Sequence, residues 1–445
     1  MSLKIANYTT ERSQDVEFRV LEDLSSLISR NADADNVIGE RVASIIAEVK
    51  SSGDAALRSF AERFDGVSLN RLFIDAEELK DIASAIDDEA KAAIDTAYQN
   101  IYAFHISQYK EEEKVETMPG VSCWREVRPI QRVGLYIPGG SAVLPSTFLM
   151  LGIPAKIAGC RDIVVCSPPQ KDGRVNIYIA YVALLIGVSK IYLAGGAQAV
   201  AAMAYGTETV PKVDKIFGPG NQYVTKAKSI IQSSTQTSID MPAGPSEVLV
   251  IADEGAVPAF VAADLLAQAE HGPDSQAVLV SSSADMIRAT MQELHKQLEQ
   301  LPRKDIAAKA ISNSYVVLTD DLEEAVEFSN EYAPEHLILA TSQWEELIPS
   351  ISNAGSVFLG NLTPESAGDY ASGTNHTLPT SAHARSYSGV SLDSFIKKIT
   401  FQHISSEGVK NIAPTVETLA RLEGLDAHGN AMKIRRLYDE NQTTK

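Results

Sequence analysis

Residues 133–234 decide the fold. They read VGLYIPGG (133–140), LPSTFLMLGIPAKIAG (144–159), DIVVCSPP (162–169), VNIYIAYVALLIGV (175–188), KIYLAGG (190–196), AQAVAAMAYG (197–206), DKIFGPG (214–220) and NQYVTKAKSIIQSS (221–234). Four times a short apolar strand ends in a Gly- or Pro-rich turn, and a helical stretch follows. A strand feeding a helix that returns the chain to a neighbouring strand is the unit of a parallel α/β domain.

Working outward, the same rhythm resumes after MPAGPSE (241–247). The strands VLVIAD (248–253), QAVLVSSS (276–283), YVVLT (315–319) and HLILAT (336–341) alternate with helices at 257–272, 284–298 and 321–334. SVFLG (356–360) reads as one more strand. Upstream, Val37, Ile38, Val42, Ile45, Ile46, Val49 and Leu57 recur at helical spacing, and a second helical run covers 76–109. Downstream, 367–391 is a long polar loop, followed by a short β-like piece, FIKKITFQHIS (395–405), and helices. The expected fold class is α/β: two Rossmann-like parallel α/β domains, a helical N-terminal segment and a small C-terminal tail. The expected boundaries are an N-terminal segment at 1–30 and a first α/β domain from 31–135 plus 246–390. A second domain covers 136–245, and a tail at 391–445 is too small to form a domain alone.

Composition narrows the function. The 445 residues are 44% hydrophobic and 22% charged, as in ordinary globular proteins. The net charge of −19 repels phosphate backbones, so nucleic acid is not an expected partner. Three cysteines, Cys123, Cys160 and Cys166, do not make a secreted disulfide framework. The polar start MSLKIANYTTERSQDVEF has no signal-like apolar core, and IYIAYVALLIGV (177–188) is too short to span a bilayer. A cytoplasmic protein without a membrane partner is expected.

Several constellations could carry chemistry. Gln268 and His271, in QAEH, lie three residues apart on one helix face. A helical His taken alone is more often a plain surface or core residue than a ligand. Glu335 and His336, in APEHL, join a carboxylate to an imidazole, a pair suited to acid–base work. Both can face one site only if Pro334 makes the backbone irregular; otherwise they are a charged strand edge. The stretch ESAGDYASGTNHTLPT (365–380) offers Asp369 and His376, and LEGLDAHGNA (422–431) offers Glu423 and His428. The plain alternatives are a solvent loop for the first, which its length and polarity weaken, and an ordinary exposed interhelix segment for the second. Pooled, two His, one Asp and one Gln form a mixed N/O set suited to zinc or a similar divalent ion. The turns at Tyr136, Gly195–Gln198 and Gly218–Asn221 lie where α/β sheets bind ligands. The usual Gly-x-Gly-x-x-Gly fingerprint and its ribose-binding acid are missing, and by that standard NAD would be rejected.

At these residues the chain resembles the histidinol dehydrogenase family. RVGLYIPGG (132–140), AGGAQAVAAMAYGT (194–207), KIFGPGNQYVT (215–225), DMPAGPSEVLVIAD (240–253), LLAQAEHGPDSQ (265–276), EYAPEHL (331–337), ESAGDYASGTNHTLPT and EGLDAHGNA look like that family's blocks, in its order. The resemblance implies oxidation of L-histidinol to L-histidine through L-histidinal, with two NAD reduced, in histidine biosynthesis. It implies one Zn2+ per subunit on Gln268, His271, Asp369 and His428, and acid–base work by Glu335 and His336. It implies substrate contacts from Ser246, His376 and Glu423, beside His336 and the metal ligands, and an atypical NAD site lined by Tyr136, Gln198 and Asn221. It also implies a homodimer with shared active sites, in which the tail carries Glu423 and His428 to the partner. A zinc-dependent dehydrogenase of another small alcohol, a metal-dependent hydrolase and a non-catalytic binding protein are the competing readings.

Overall fold

The computed structural model describes residues 4–8, 16, 18–20, 36–139, 143–242 and 244–443. Most of the expected N-terminal segment 1–30, and Gly140 of the first turn, lie outside these residues. The chain divides into two compact units, one of 1–106 with 130–395 and one of 107–129 with 396–445.

In the first unit the front part supplies β1 (Lys4–Asn7), β2 (Arg19–Val20) and β3 (Phe73–Asp75). The second unit takes β4 (Val115–Met118) and β5 (Val121–Pro129). Residues 132–239 form β6 (Arg132–Tyr136), β7 (Asp162–Ser167), β8 (Lys190–Leu193), β9 (Lys215–Phe217) and β10 (Ser238–Ile239). They make a six-stranded sheet in the order β10-β9-β6-β7-β8-β3, parallel except where β3 runs antiparallel to β8. The helix Pro145–Ala158 is buried almost all round, which its near-continuous apolar sequence anticipates.

The second run forms β11 (Glu247–Ala252), β12 (Gln276–Ser281), β13 (Tyr315–Leu318), β14 (His336–Ala340) and β15 (Ser356–Leu359). These five are mutually parallel, and β1 adds antiparallel to β13, giving the order β15-β14-β11-β12-β13-β1-β2. Val248, Val250 and Ala252 pack with the helices Pro258–Ala269 and Ala284–Leu298; Leu249 and Ile251 pack on the other face with the helix Leu322–Tyr332. Period-two alternation explains the split. Burial of both faces explains why the strands read as unbroken apolar runs.

Two placements differ from the sequence expectation. The helix Asn36–Phe60 packs on the helices Gly196–Tyr205 and Gln222–Ser234, and β3 extends the six-stranded sheet. Residues 36–75 therefore adjoin the 136–245 half rather than the 246–390 half with which they were grouped. Helical spacing marks a buried face without saying what buries it. The stretch at 365–380, read as loop, opens with a short helix, Glu365–Tyr370.

In the second unit β16 (Ile396–Ile404) pairs antiparallel with β5 along its whole length, and the helices Ser406–Leu422 and Asp426–Thr443 pack on each other. The expected tail thus shares a unit with 107–129. Among the described residues no helix is long and apolar enough to cross a membrane.

Candidate active site

The helix Leu322–Tyr332 ends at Ala333, whose φ of 52° is left-handed, and Pro334 follows. This irregular exit lets two consecutive side chains meet where a regular strand would part them. His336 Nδ1 lies 3.7 Å from Glu335 Oε2, and both residues are buried. Their neighbour on β11 is Glu247. Its N–H donates to Glu335 Oε2 at 2.9 Å, and its carbonyl oxygen lies 3.2 Å from His336 Nδ1. A carbonyl only accepts, so in neutral His336 the proton sits on Nδ1 and the lone pair on Nε2. Nε2 has no hydrogen-bond partner among the described residues. Gly355 backs the pair: a Cβ there would press on the Glu335 carbonyl oxygen.

The helix Glu365–Tyr370 carries Glu365 and Asp369 one turn apart, on one face. His336 Nδ1 lies 3.6 Å from Glu365 Oε1, and His336 Nε2 lies 3.6 Å from Asp369 Oδ1. His271, Glu365 and Asp369 each bring one ligand atom within 4.8 Å of the others, an arrangement able to hold a metal ion. One turn before His271 is Gln268, fully buried, with neither amide atom partnered among the described residues. Glu365 Oε2 is likewise buried and unpartnered. Leaving such groups unsatisfied costs about 1–3 kcal/mol each. An ion drawing on nitrogen and oxygen donors would remove that cost, so the residues fit a divalent metal such as zinc.

The charges around this centre are coupled. Burial alone would lower His336, but Glu365, Glu335 and Asp369 raise it to about 10. Burial pushes Glu335 up to about 8, against His336 and the Glu247 N–H. Burial does the same to Glu365, also to about 8. For Asp369 the charge of His336, 3.6 Å away, outweighs burial and holds it below the usual carboxylate range. His376 Nδ1 lies 2.9 Å from the Asp369 carbonyl oxygen and so carries the proton; Nε2, 3.2 Å away, accepts from Thr147 Oγ1. Ser246 lies just ahead of β11, half-buried, its carbonyl accepting from the Gln276 N–H at 3.0 Å.

On the six-stranded sheet, Tyr136 ends β6, and its hydroxyl accepts from the Gly196 N–H at 3.2 Å. Gln198 is buried in the first turn after β8. Asn221 follows the turn after β9 and caps the helix Gln222–Ser234, its Oδ1 accepting from Tyr223 and Val224 N–H. All three lie at or beyond strand C-terminal ends, the usual ligand edge of such sheets. Glu335, His336 and Glu247, in contrast, sit at the N-terminal starts of β14 and β11. Glu423 and His428 belong to the second unit, where both are exposed: Glu423 ends one helix and His428 lies in the first turn of the next.

Sequence reading missed two residues. Glu365 had a usable signal, its four-residue spacing to Asp369. Glu247 had none, because its backbone does the holding.

A family model for histidinol dehydrogenase matches residues 28–436. The chain belongs to the histidinol dehydrogenase family. It is 54% identical over 420 residues to a histidinol dehydrogenase of Bacteroides thetaiotaomicron, covering 94% of this chain and 98% of that one. It is 57% identical over 394 residues to the chloroplastic histidinol dehydrogenase of Arabidopsis thaliana, covering 88% and 84%. The crystal structure of histidinol dehydrogenase from Elizabethkingia anophelis superposes with a TM-score of 0.91 at 51% identity, covering 95% of this chain and 97% of that one.

Proposed function

We propose that the chain oxidises L-histidinol to L-histidine through L-histidinal, reducing two NAD and consuming one water, as a step of histidine biosynthesis. The observation that carries this reading is an imidazole nitrogen, His336 Nε2, with no hydrogen-bond partner among the described residues, beside a buried carboxyl and a set of N/O metal donors. Gln268, His271, Asp369 and His428 would hold one zinc ion per subunit, and the ion would serve as template and Lewis acid for the substrate's nitrogens. Tyr136, Gln198 and Asn221 would line the NAD site, and NAD would supply the hydride acceptor for each oxidation.

The chain's own groups then divide the protons. His336 accepts the alcohol proton at Nε2 while the Glu247 carbonyl keeps Nδ1 protonated. Glu335, as carboxylate, takes a proton from the water that attacks the aldehyde carbon. His336 assists the second hydride loss. Ser246, His376 and Glu423 contact the substrate alongside His336 and the metal ligands. The sum is one primary alcohol and one water converted to a carboxylate, with two hydrides to NAD and three protons released.

A homodimer with shared sites is part of the proposal. Supporting it, the second unit's helices leave Leu419, Leu422 and Ile434 exposed, besides Glu423 and His428. The cytoplasm is the proposed compartment, which suits the free thiols of Cys123, Cys160 and Cys166.

The test is to count NADH per L-histidinol consumed by the purified protein, with and without a chelator. Two NADH are expected, lost on chelation and restored by zinc. One NADH would mean release of an aldehyde. None would move the substrate to another small alcohol.

The raised pKa values add a second expectation. His336 must lose its proton to act as base, and Glu335 must be ionised to activate water. With Glu335 held near 8 and His336 near 10, both active forms grow as pH rises. Bound metal charge moves the limb down but does not reverse it. Turnover should therefore climb from neutral into alkaline pH. A rate that falls as pH rises from neutral into the alkaline range would remove the pair from these roles.

A further inference from the structure

The turn after β9 is gripped from both sides by a buried ion pair. Lys228, in the helix Gln222–Ser234, touches Asp240, just past β10, with side chains 5% and 1% exposed. Together they take up both backbone groups of one residue. The Gly218 N–H donates to Asp240 Oδ2 at 2.9 Å, and Lys228 Nζ donates to the Gly218 carbonyl oxygen at 2.9 Å. The second carboxylate oxygen, Asp240 Oδ1, accepts from the Met241 N–H at 2.8 Å.

Gly218 has a φ of 131°, and a Cβ there would collide with the Tyr136 carbonyl oxygen. The turn is thus seated directly on Tyr136, whose hydroxyl in turn takes the Gly196 N–H. Three residues on, Asn221 caps the helix that contains Lys228. The pair therefore fixes the turn that joins Tyr136 to Asn221.

Burying two charges is expensive, and an apolar pair of similar volume often stabilises a fold as well or better. An apolar pair cannot set the rotation of the peptide planes on either side of Gly218. That is the distinctive thing this pair does.

We propose that Lys228 and Asp240 are positioning residues for the dinucleotide: they fix the Gly218–Asn221 turn, and with it the Asn221 side chain, against NAD. This rests on the reading of Tyr136, Gln198 and Asn221 as the NAD side.

The test uses the full-length, zinc-loaded protein. NAD affinity is measured by titration calorimetry, and kcat and KM are determined for each substrate. Lys228→Met and Asp240→Asn should each raise the Kd and KM for NAD about tenfold or more, since small misplacements far from the chemistry carry large costs. The KM for histidinol and the zinc content should stay at wild-type values. Lys228→Arg, which keeps the charge and donors, should recover most of the affinity.

The paired variant Lys228→Met with Asp240→Leu removes both charges, so it can fold even if the single variants do not. It should melt near the wild type and still bind NAD weakly. Wild-type NAD affinity in that folded double variant would overturn the proposal. So would an equal loss of NAD, histidinol and zinc binding in all variants, which marks a purely structural role. If wild-type protein bound no NAD at all, the assignment of the cofactor side would fall, and the clamp with it; that outcome is visible before any variant is made.

Discussion

Glu335→Gln should leave the oxidation of L-histidinol nearly intact and slow the oxidation of L-histidinal about 10²–10⁴-fold, the usual worth of a positioned acid–base group. Glutamine keeps the shape of the side chain, and its amide oxygen can still accept the Glu247 N–H that now reaches Glu335 Oε2 at 2.9 Å. It cannot take a proton from water. The first oxidation asks only for a base at the alcohol, which His336 Nε2 supplies. The second needs a nucleophile made from water, and that step fails. NADH yield should fall toward one per histidinol, with aldehyde recoverable by a trapping reagent. A second readout separates loss of function from loss of structure. Glu335 is one of the charges that raise His336, so its neutralisation lowers the His336 pKa and moves the rising limb of the first oxidation to lower pH. His336→Asn is the control, and should slow both oxidations. Equal slowing of both steps in Glu335→Gln would end the assignment of Glu335 to the water.

The difference between what could and could not be read beforehand follows the range of the interactions. Strand and helix alternation was legible because a strand buried on both faces must be apolar throughout, as 248–252 is, and that is a local property. The addition of β1 to the far edge of β13, and of β3 to β8, left no comparable mark. These are short pieces whose pairing is decided by distant partners. Within the site, the Glu335–His336 pair was visible as chemistry, but its geometry hung on one left-handed residue, Ala333, which sequence does not announce. Its place at the start of β14 also departs from the rule that ligands meet strand C-terminal ends, so pattern rules would have sought the chemistry elsewhere. Glu365 was hidden by reading 365–380 as loop. As a helix, the same letters put it one turn from Asp369. The metal and NAD residues came from family resemblance; spacing alone left each of them open.

Gln268→Met should make the metal-free protein more stable and the metal-loaded protein less so. Methionine has nearly the volume of glutamine and no polar atoms. Gln268 is fully buried, and neither amide atom has a partner among the described residues. Removing that unmet demand should gain about 1–3 kcal/mol in the absence of metal, seen as a higher melting temperature in chelator. Added zinc stabilises whichever protein binds it, by an amount set by the ratio of metal concentration to Kd. The wild type should gain strongly and the variant little, so the order of melting temperatures should invert on going from chelator to zinc. A variant that melts below the wild type in chelator would mean that the amide is already satisfied without an ion. A variant that gains as much from zinc as the wild type would take Gln268 out of the ligand set. The inversion is the more telling result, because packing damage lowers stability in both conditions and cannot produce it. A buried amide that weakens the empty protein and strengthens the loaded one is what separates a residue kept for its ligand from one kept for the fold.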